Sequence, residues 1–130
     1  LDRFAVVASA SVIMSDDVDK ARAALKPGMA LYIGGMGARA KNFYNDLAKR
    51  LGYEEAAARI QDLYLDGKKA EATAAVPDAL VDAVHLVGPK AKIRDRLQAW
   101  KEAGRKGWVN TMQIQTAQPE ALELLAQELL

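Results

Sequence analysis

The chain has 130 residues, 51% hydrophobic and 27% charged, which is enough apolar content for one buried core and too much for a disordered tail. Eighteen Lys and Arg against 17 Asp and Glu leave a net charge of +1, so there is no strong field to gather nucleic acid or anionic lipid, and neither is expected as a partner. Zero cysteines and one histidine exclude disulfides, thiolate zinc sites, cysteine nucleophiles and polyhistidine metal sites, which suits a cytoplasmic protein.

No apolar run approaches the roughly 18 residues that cross a bilayer. The chain opens on Leu1 with no basic, apolar, small-residue leader, so a processed or truncated product is expected. Phe4 to Met14 reads FAVVASASVIM, uncharged and bounded by charges, the pattern of a strand buried on both faces. Ser15-Asp16-Asp17 then caps a helix carrying Val18, Ala21 and Leu25. Pro27 ends or kinks it, a short helical restart runs to Ile33, and Gly34-Gly35-Met36-Gly37 breaks the chain.

From about Ala40, Phe43, Leu47 and Leu51 recur at i, i+4, i+8 as an apolar stripe, closed by Gly52. Tyr53 to Leu65 is a further helix with Ala56, Ile60, Leu63 and Tyr64 on one face, and Asp66-Gly67 interrupts it. Lys68 to Ala75 continues helical, and Val76-Pro77-Asp78 starts another short helix through Val84 or beyond. Lys90 to Ala103 is the clearest helix, with Ile93, Leu97 and Trp100 inward and Gly104 at its end. Trp108 to Thr116 alternates as a strand, while Trp108 itself is expected to pack between the last helices. Pro119 opens a final helix with Leu122, Leu125, Ala126 and Leu129 as its stripe. The order is strand, helix, helical excursion, helix, strand, helix, without repeat or linker, in one domain over residues 1–130. Strands joined by helices pair in parallel and need neighbours on both sides, which two strands cannot supply.

Gly35-Met36-Gly37-Ala38-Arg39-Ala40 satisfies G-x-G-x-x-A, making Gly35 and Gly37 candidates for a phosphate approach. The helical stretch before it and the helix after it favour a plain turn. His85 among Ala83, Val84, Leu86 and Val87 reads as a partly buried, hydrogen-bonded residue, and Asp62, Asp66 and Asp82 lack metal-loop spacing.

The stretch from Leu31 to Gly104, above all YIGGMG with KNFYN and IQDLYLDGKKAEA, closely resembles the C-terminal part of luciferase-like flavin- or coenzyme F-420-dependent oxidoreductases. FAVVASASVIMSDDVDKARAALKPGMA resembles that family's penultimate barrel strand and the helix after it, so the likeness runs from about Arg3 to Gly104. It implies a helix-rich α/β chain that is the C-terminal fragment of a (β/α)8 barrel, its last two βα units plus a helical excursion. It further implies a parent oxidoreductase or monooxygenase that uses deazaflavin F-420 or FMN for hydride transfer on a small-molecule substrate. The family's catalytic residues lie on earlier strands, so none is carried onto a position here, and Trp-Val-Asn-Thr-Met-Gln-Ile-Gln departs from the short apolar last strand usual in the family.

Barrel enzymes place reactive groups at the C-terminal ends of their strands, which makes Ser9, Ser11, Gln113 and Gln115 rim candidates for hydrogen bonding to cofactor or substrate. Lys90, at the start of a helix that would open on the same rim, is a candidate for an acidic group. The isolated chain is expected to be inactive and to bind no cofactor alone, with the missing barrel half or self-association supplying its partners. The competing reading is a non-enzymatic oligomerisation or interaction module derived from a barrel, with the Phe43/Leu47/Leu51 and Leu122/Leu125/Leu129 stripes finding partners in other chains.

Overall fold

The computed structural model describes residues 4–130; Leu1, where the chain opens, and the Asp2-Arg3 charges before the first apolar run lie outside the described residues. The described chain is helix-rich α/β with a small parallel sheet. It forms two compact units, one of Leu1–Ala21 with Val84–Leu130 and one of Arg22–Ala83.

The first unit holds β1 (Val7–Met14), β2 (Leu86–Gly88) and β3 (Thr111–Gln115) in the order β2-β1-β3. Both pairings are parallel: Val12 to Met14 lie against Leu86 to Gly88, and Val7 to Ser11 lie against Thr111 to Gln115. The sequence pattern predicts two strands and two βα units, with the helix before Gly88 running through Val84 or beyond; the structure adds a third strand, β2, over Leu86–Gly88. Three apolar residues after a helical run carry no period of their own, and the break comes at His85.

The first strand is also not buried on both faces. Ala10 and Val12 are buried, while Val7 and Ser9 are exposed. Its inward residues join Leu86, Ile93, Leu97, Ala121, Leu124 and Leu125 in one apolar core, flanked by Met14, Met112, Ile114, Trp100 and Leu129. Five of these core residues, Ile93, Leu97, Ala121, Leu124 and Leu125, come from two helices that cover the sheet.

Between β1 and β2 the chain forms α1 (Val18–Ala30), α2 (Phe43–Arg50), α3 (Glu54–Leu65), α4 (Lys69–Ala74) and α5 (Asp78–Val84). The helices that cover the sheet are α6 (Lys90–Arg105) and α7 (Pro119–Leu129). Ile93 and Leu97 of α6 are fully buried at i, i+4, as their spacing predicts. Gly104 lies within α6 instead of ending it, and the stop is Gly107 at φ +70°, where a missing Cβ removes the steric cost. On α7 the buried face is Ala121, Leu124 and Leu125, so Leu122 turns to solvent, one residue out of the expected stripe. Four leucines and two alanines in eleven residues permit two overlapping apolar stripes, and the contact with β1 selects between them.

In the second unit, Pro27 neither ends nor restarts α1, which runs unbroken to Ala30 and into a π-helical turn, Leu31–Gly35. Proline removes the bond to the carbonyl four residues back; Ala23 and Pro27 are both exposed, so water can serve that carbonyl. The orphan carbonyls of the π turn are collected by side chains. Asn42 Nδ2 donates to Tyr32 O and Ile33 O, and Asn45 Nδ2 donates to Ile33 O and to Ala57 O on α3. Asn42 Oδ1 accepts from Asn45 N and so caps α2 as well. Both asparagines are buried.

That capping fixes which way α2 faces. Asn45 and Ala48 point inward, and the apolar stripe is outside, with Phe43 68%, Leu47 39% and Leu51 47% exposed. Periodicity locates the helix, and the asparagine hydrogen bonds to the π turn and α3 set its inner face. On α3 the buried residues are Ala57, Ile60 and Gln61, with Tyr64 half-buried. Arg22 and Lys26 of α1 tie to α5: Arg22 Nη2 lies 2.7 Å from Asp82, and Lys26 Nζ lies 2.6 Å from Asp78.

Candidate functional site

Alternation along β1 and β3 divides their residues between two faces. Ala8, Ala10, Val12, Met112 and Ile114 face the helices; Val7, Ser9, Ser11, Thr111, Gln113 and Gln115 face away, all exposed except the half-buried Ser11. Register brings the sequence-predicted candidates together in two rungs, Ser9 beside Gln113 and Ser11 beside Gln115. Ser9 Oγ donates to Gln113 Oε1 at 3.2 Å, which leaves the Gln113 amide hydrogens and the Ser9 lone pairs pointing at no other residue of the rung. The face is uncharged and mostly polar, with Val7 and Ile13 as its apolar members at the two ends of β1. It can donate and accept hydrogen bonds, and it holds no general acid, base or nucleophile activated by one.

The edge of this face is closed by His85, which the sequence reads as a partly buried, hydrogen-bonded residue. His85, just before β2, accepts a hydrogen bond at Nδ1 from Ser11 N at 3.1 Å, so its remaining proton sits on Nε2. It is half-buried and hydrogen-bonded, as its apolar neighbours suggest. Burial holds its pKa below the ordinary histidine value.

The C-terminal end of β1 is held by Gln118, which sequence reasoning missed. Met14 N donates to Gln118 Oε1 at 2.7 Å, and Gln118 Nε2 donates back to Met14 O at 2.9 Å. One carboxamide thus stands in for the strand residue that β3 no longer provides after Gln115. Its position, immediately before Pro119 at the start of α7, was the available signal. Gln118 makes no side-chain cap bond to α7, because its amide is spent on β1.

Ser15 N donates to Gly88 O, bringing the loops after β1 and β2 together at this end of the sheet. Lys90 is exposed at the start of α6, whose N-cap Pro89 offers no side-chain cap. Gly88 needs its glycine, since φ is +134° and a Cβ there would sit 2.8 Å from Lys92 Cδ. The open recess lined by Trp100, Arg105, Asn110, Met112 and Leu129 lies at the opposite, N-terminal end of β3. Trp108 is 63% exposed, with Lys106 Nζ 4.6 Å from its ring centroid, so it does not pack between helices. The packing role falls to Trp100.

Gly35 and Gly37 belong to the other unit. Gly35 is the last residue of the π turn, which follows directly on α1 and not on a strand, and α2 comes next. A Cβ on Gly34 or Gly35 would come within 2.5 Å of Tyr64, so the glycines let the π turn lie flat on α3. A Cβ on Gly37 would meet the Lys41 carbonyl. Among the described residues no cluster of three or more His, Asp or Glu is placed to hold a metal ion, and no helix is long and apolar enough to cross a membrane.

Residues 1–107 match the luciferase-like monooxygenase family. The chain is 40% identical over 101 residues to a Mycobacterium tuberculosis protein that bears the name coenzyme F-420-dependent oxidoreductase, an alignment covering 78% of this chain and 29% of that protein. The chain therefore spans less than a third of the length of this relative. No solved structure matches it significantly.

Proposed function

Because this chain belongs to the luciferase-like monooxygenase family, an oxidoreductase and monooxygenase family, we propose that it forms one wall of a (β/α)8 barrel oxidoreductase that uses F-420 or FMN. In this reading β1 and β3 are the last two barrel strands, and β2, which pairs with only three residues of β1, is a short addition beside them. The strand order supports this. Barrel strands that follow one another in sequence are neighbours in space, and β1 and β3 are neighbours whereas β2 and β3 are not.

The observation that carries the proposal is the polar face. An α/β barrel covers the outside of its strands with helices and turns the other side inward. Here α6 and α7 cover one side, and Ser9, Ser11, Gln113 and Gln115 occupy the other. A neutral hydrogen-bonding set fits the ring system of a deazaflavin or flavin better than its phosphate, and Lys90 on the rim suits the acidic part. When bound, such a cofactor supplies hydride transfer to or from a small-molecule substrate. The residues of this chain bind and orient: the Gln113 and Gln115 amides and the two serine hydroxyls offer hydrogen bonds, and His85 and Gln118 hold β1 in register at either edge. Proton transfer falls to residues on strands outside this chain, so the 130 residues alone are inactive and the remaining barrel strands are their partner. A cysteine-free chain fits the reducing cytoplasm.

The test joins the upstream strands of the Mycobacterium tuberculosis relative to this chain and titrates F-420 and FMN by fluorescence. Saturable binding to the joined protein and none to the 130-residue chain is the expected result. A correctly folded joined protein that binds neither cofactor overturns the reading.

A further inference from the structure

We propose that His85 is a proton-sensitive latch on β1: neutral, it holds the Ser11 end of the polar wall in place, and protonated, it releases that end. The consequence for cofactor binding rests on the wall proposed for β1 and β3. In a parallel sheet, alternate residues of a middle strand bond to opposite neighbours. The even-numbered Val6 and Met14 bond on the β3 side, to Asn110 and Gln118, whereas Ser15 N donates to Gly88 O on the β2 side. Ser11 N is therefore on the β2 side. The register from Val12 against Leu86 to Met14 against Gly88, carried back one step, sets Ser11 against His85 and assigns Ser11 N the carbonyl of Val84. Val84 is the last residue of α5, so the ladder stops short of Ser11, and His85 Nδ1 accepts from Ser11 N instead at 3.1 Å. Ser11 is also where β1 changes neighbours, pairing with β3 up to Ser11 and with β2 from Val12 onward.

Only the neutral ring can make this bond. Nδ1 accepts through its lone pair; the imidazolium carries a proton on both nitrogens, turns a donor toward the Ser11 N–H, and offers no acceptor when the ring flips. Protonation therefore breaks the bond at the point where β1 changes neighbours and loosens the Ser11–Gln115 rung. Among the described residues no carboxylate is set to hold the charged ring. The strands β1, β2 and β3 carry no ionisable side chain. On α5, Asp78 is bonded to Lys26 and Asp82 to Arg22, and the first turn of α6 brings Lys90 and Lys92, of the same sign as an imidazolium. Burial is what lowers the His85 pKa, so the latch is closed at neutral pH and opens below the ordinary histidine value of about 6.5.

The chain holds one histidine, so its ring resonances report His85 alone. In the isotopically labelled 130-residue chain titrated from about pH 8 to about pH 5, the Ser11 amide shift is expected to follow the ring titration with the same midpoint. Protection of the Ser11 amide from hydrogen exchange falls about fivefold across that midpoint, as the loss of one hydrogen bond requires, while the Val12 amide, on the β3 side, does not respond. His85→Asn keeps an acceptor near the Nδ1 position with no proton to gain, so its Ser11 amide stays protected throughout, and His85→Ala leaves it unprotected at both ends. In the joined protein, affinity for F-420 or FMN falls on acidification about fivefold more than in its His85→Asn variant. A Ser11 amide that ignores the His85 titration, or one that responds equally in His85→Asn, overturns the latch, and a cofactor affinity with the same pH dependence in both joined proteins overturns its link to the wall. The resonance measurement needs no cofactor, so a joined protein that binds neither cofactor counts against the barrel-wall reading alone.

Discussion

Replacing Gln118 with alanine removes both hydrogen bonds that hold Met14, at 2.7 and 2.9 Å. Met14 is half-buried, so each bond is worth about 1 kcal/mol net and the loss is about 2 kcal/mol. Helix capping contributes nothing to this figure, because the side chain makes no cap bond to α7. With a urea slope of about 1–3 kcal/mol per molar, the unfolding midpoint falls by about 1 M. Gln118→Glu separates the two bonds: a carboxylate still accepts from Met14 N and repels Met14 O, so this variant loses the second bond alone and adds a repulsion. Urea unfolding followed by circular dichroism gives the midpoints, and hydrogen exchange of the Met14 amide reports the bond itself. If Gln118→Ala unfolds within about 0.5 kcal/mol of the parent and Met14 exchange is unchanged, the clamp does not hold the strand end.

Three further perturbations test the packing and the electrostatics. Gly34→Ala drives a Cβ to within 2.5 Å of Tyr64 and should cost about 1–3 kcal/mol, whereas Gly28→Ala, with nothing within 4 Å inside α1, should stabilise by about 0.5–1 kcal/mol; thermal melts of the pair read the contrast. Leu97→Ala, fully buried, should cost about 2–5 kcal/mol, while Leu122→Ala on the exposed side of α7 should stay within about 0.5 kcal/mol, as measured by urea titration. His85 has a folded pKa below its unfolded value, so the unfolded chain binds the extra proton. Its contribution to stability is therefore complete above the ordinary value near 6.5 and is lost as pH falls below it. Urea midpoints between pH 8 and 5 should decline in the parent more steeply than in His85→Gln, and equal slopes would refute this.

Much of the helical framework was legible because its signals are local. The i, i+4 rows of α6, the Gly52 and Gly67 breaks, and the Pro77-Asp78 start of α5 each act within a turn of their own position. What was illegible depends on partners far along the chain. The inner face of α2 is chosen by Asn45 reaching carbonyls of Ile33 and Ala57, twelve residues away on either side. β2 is a strand only because β1 lies beside it, and Gln118 is a clamp only because Met14 comes to it across 104 residues of chain. The candidate face was half visible: alternation put Ser9, Ser11, Gln113 and Gln115 on their strands, and register then made them two rungs of one surface. His85 and Gln118, which border that surface, act through long-range side-chain bonds to the β1 backbone that leave no periodic trace.

The central claim is that the Ser9–Gln113 and Ser11–Gln115 rungs form a cofactor-facing wall. The direct measurement is the amide and side-chain nuclear magnetic resonance spectrum of this segment, isotopically labelled within the joined full-length protein, with and without F-420 or FMN. The account predicts that the largest shift changes fall on Ser9, Ser11, Gln113 and Gln115, while the helix-facing Ala10 and Ile114 change little. Cofactor bound at saturation with those four residues unshifted would contradict it.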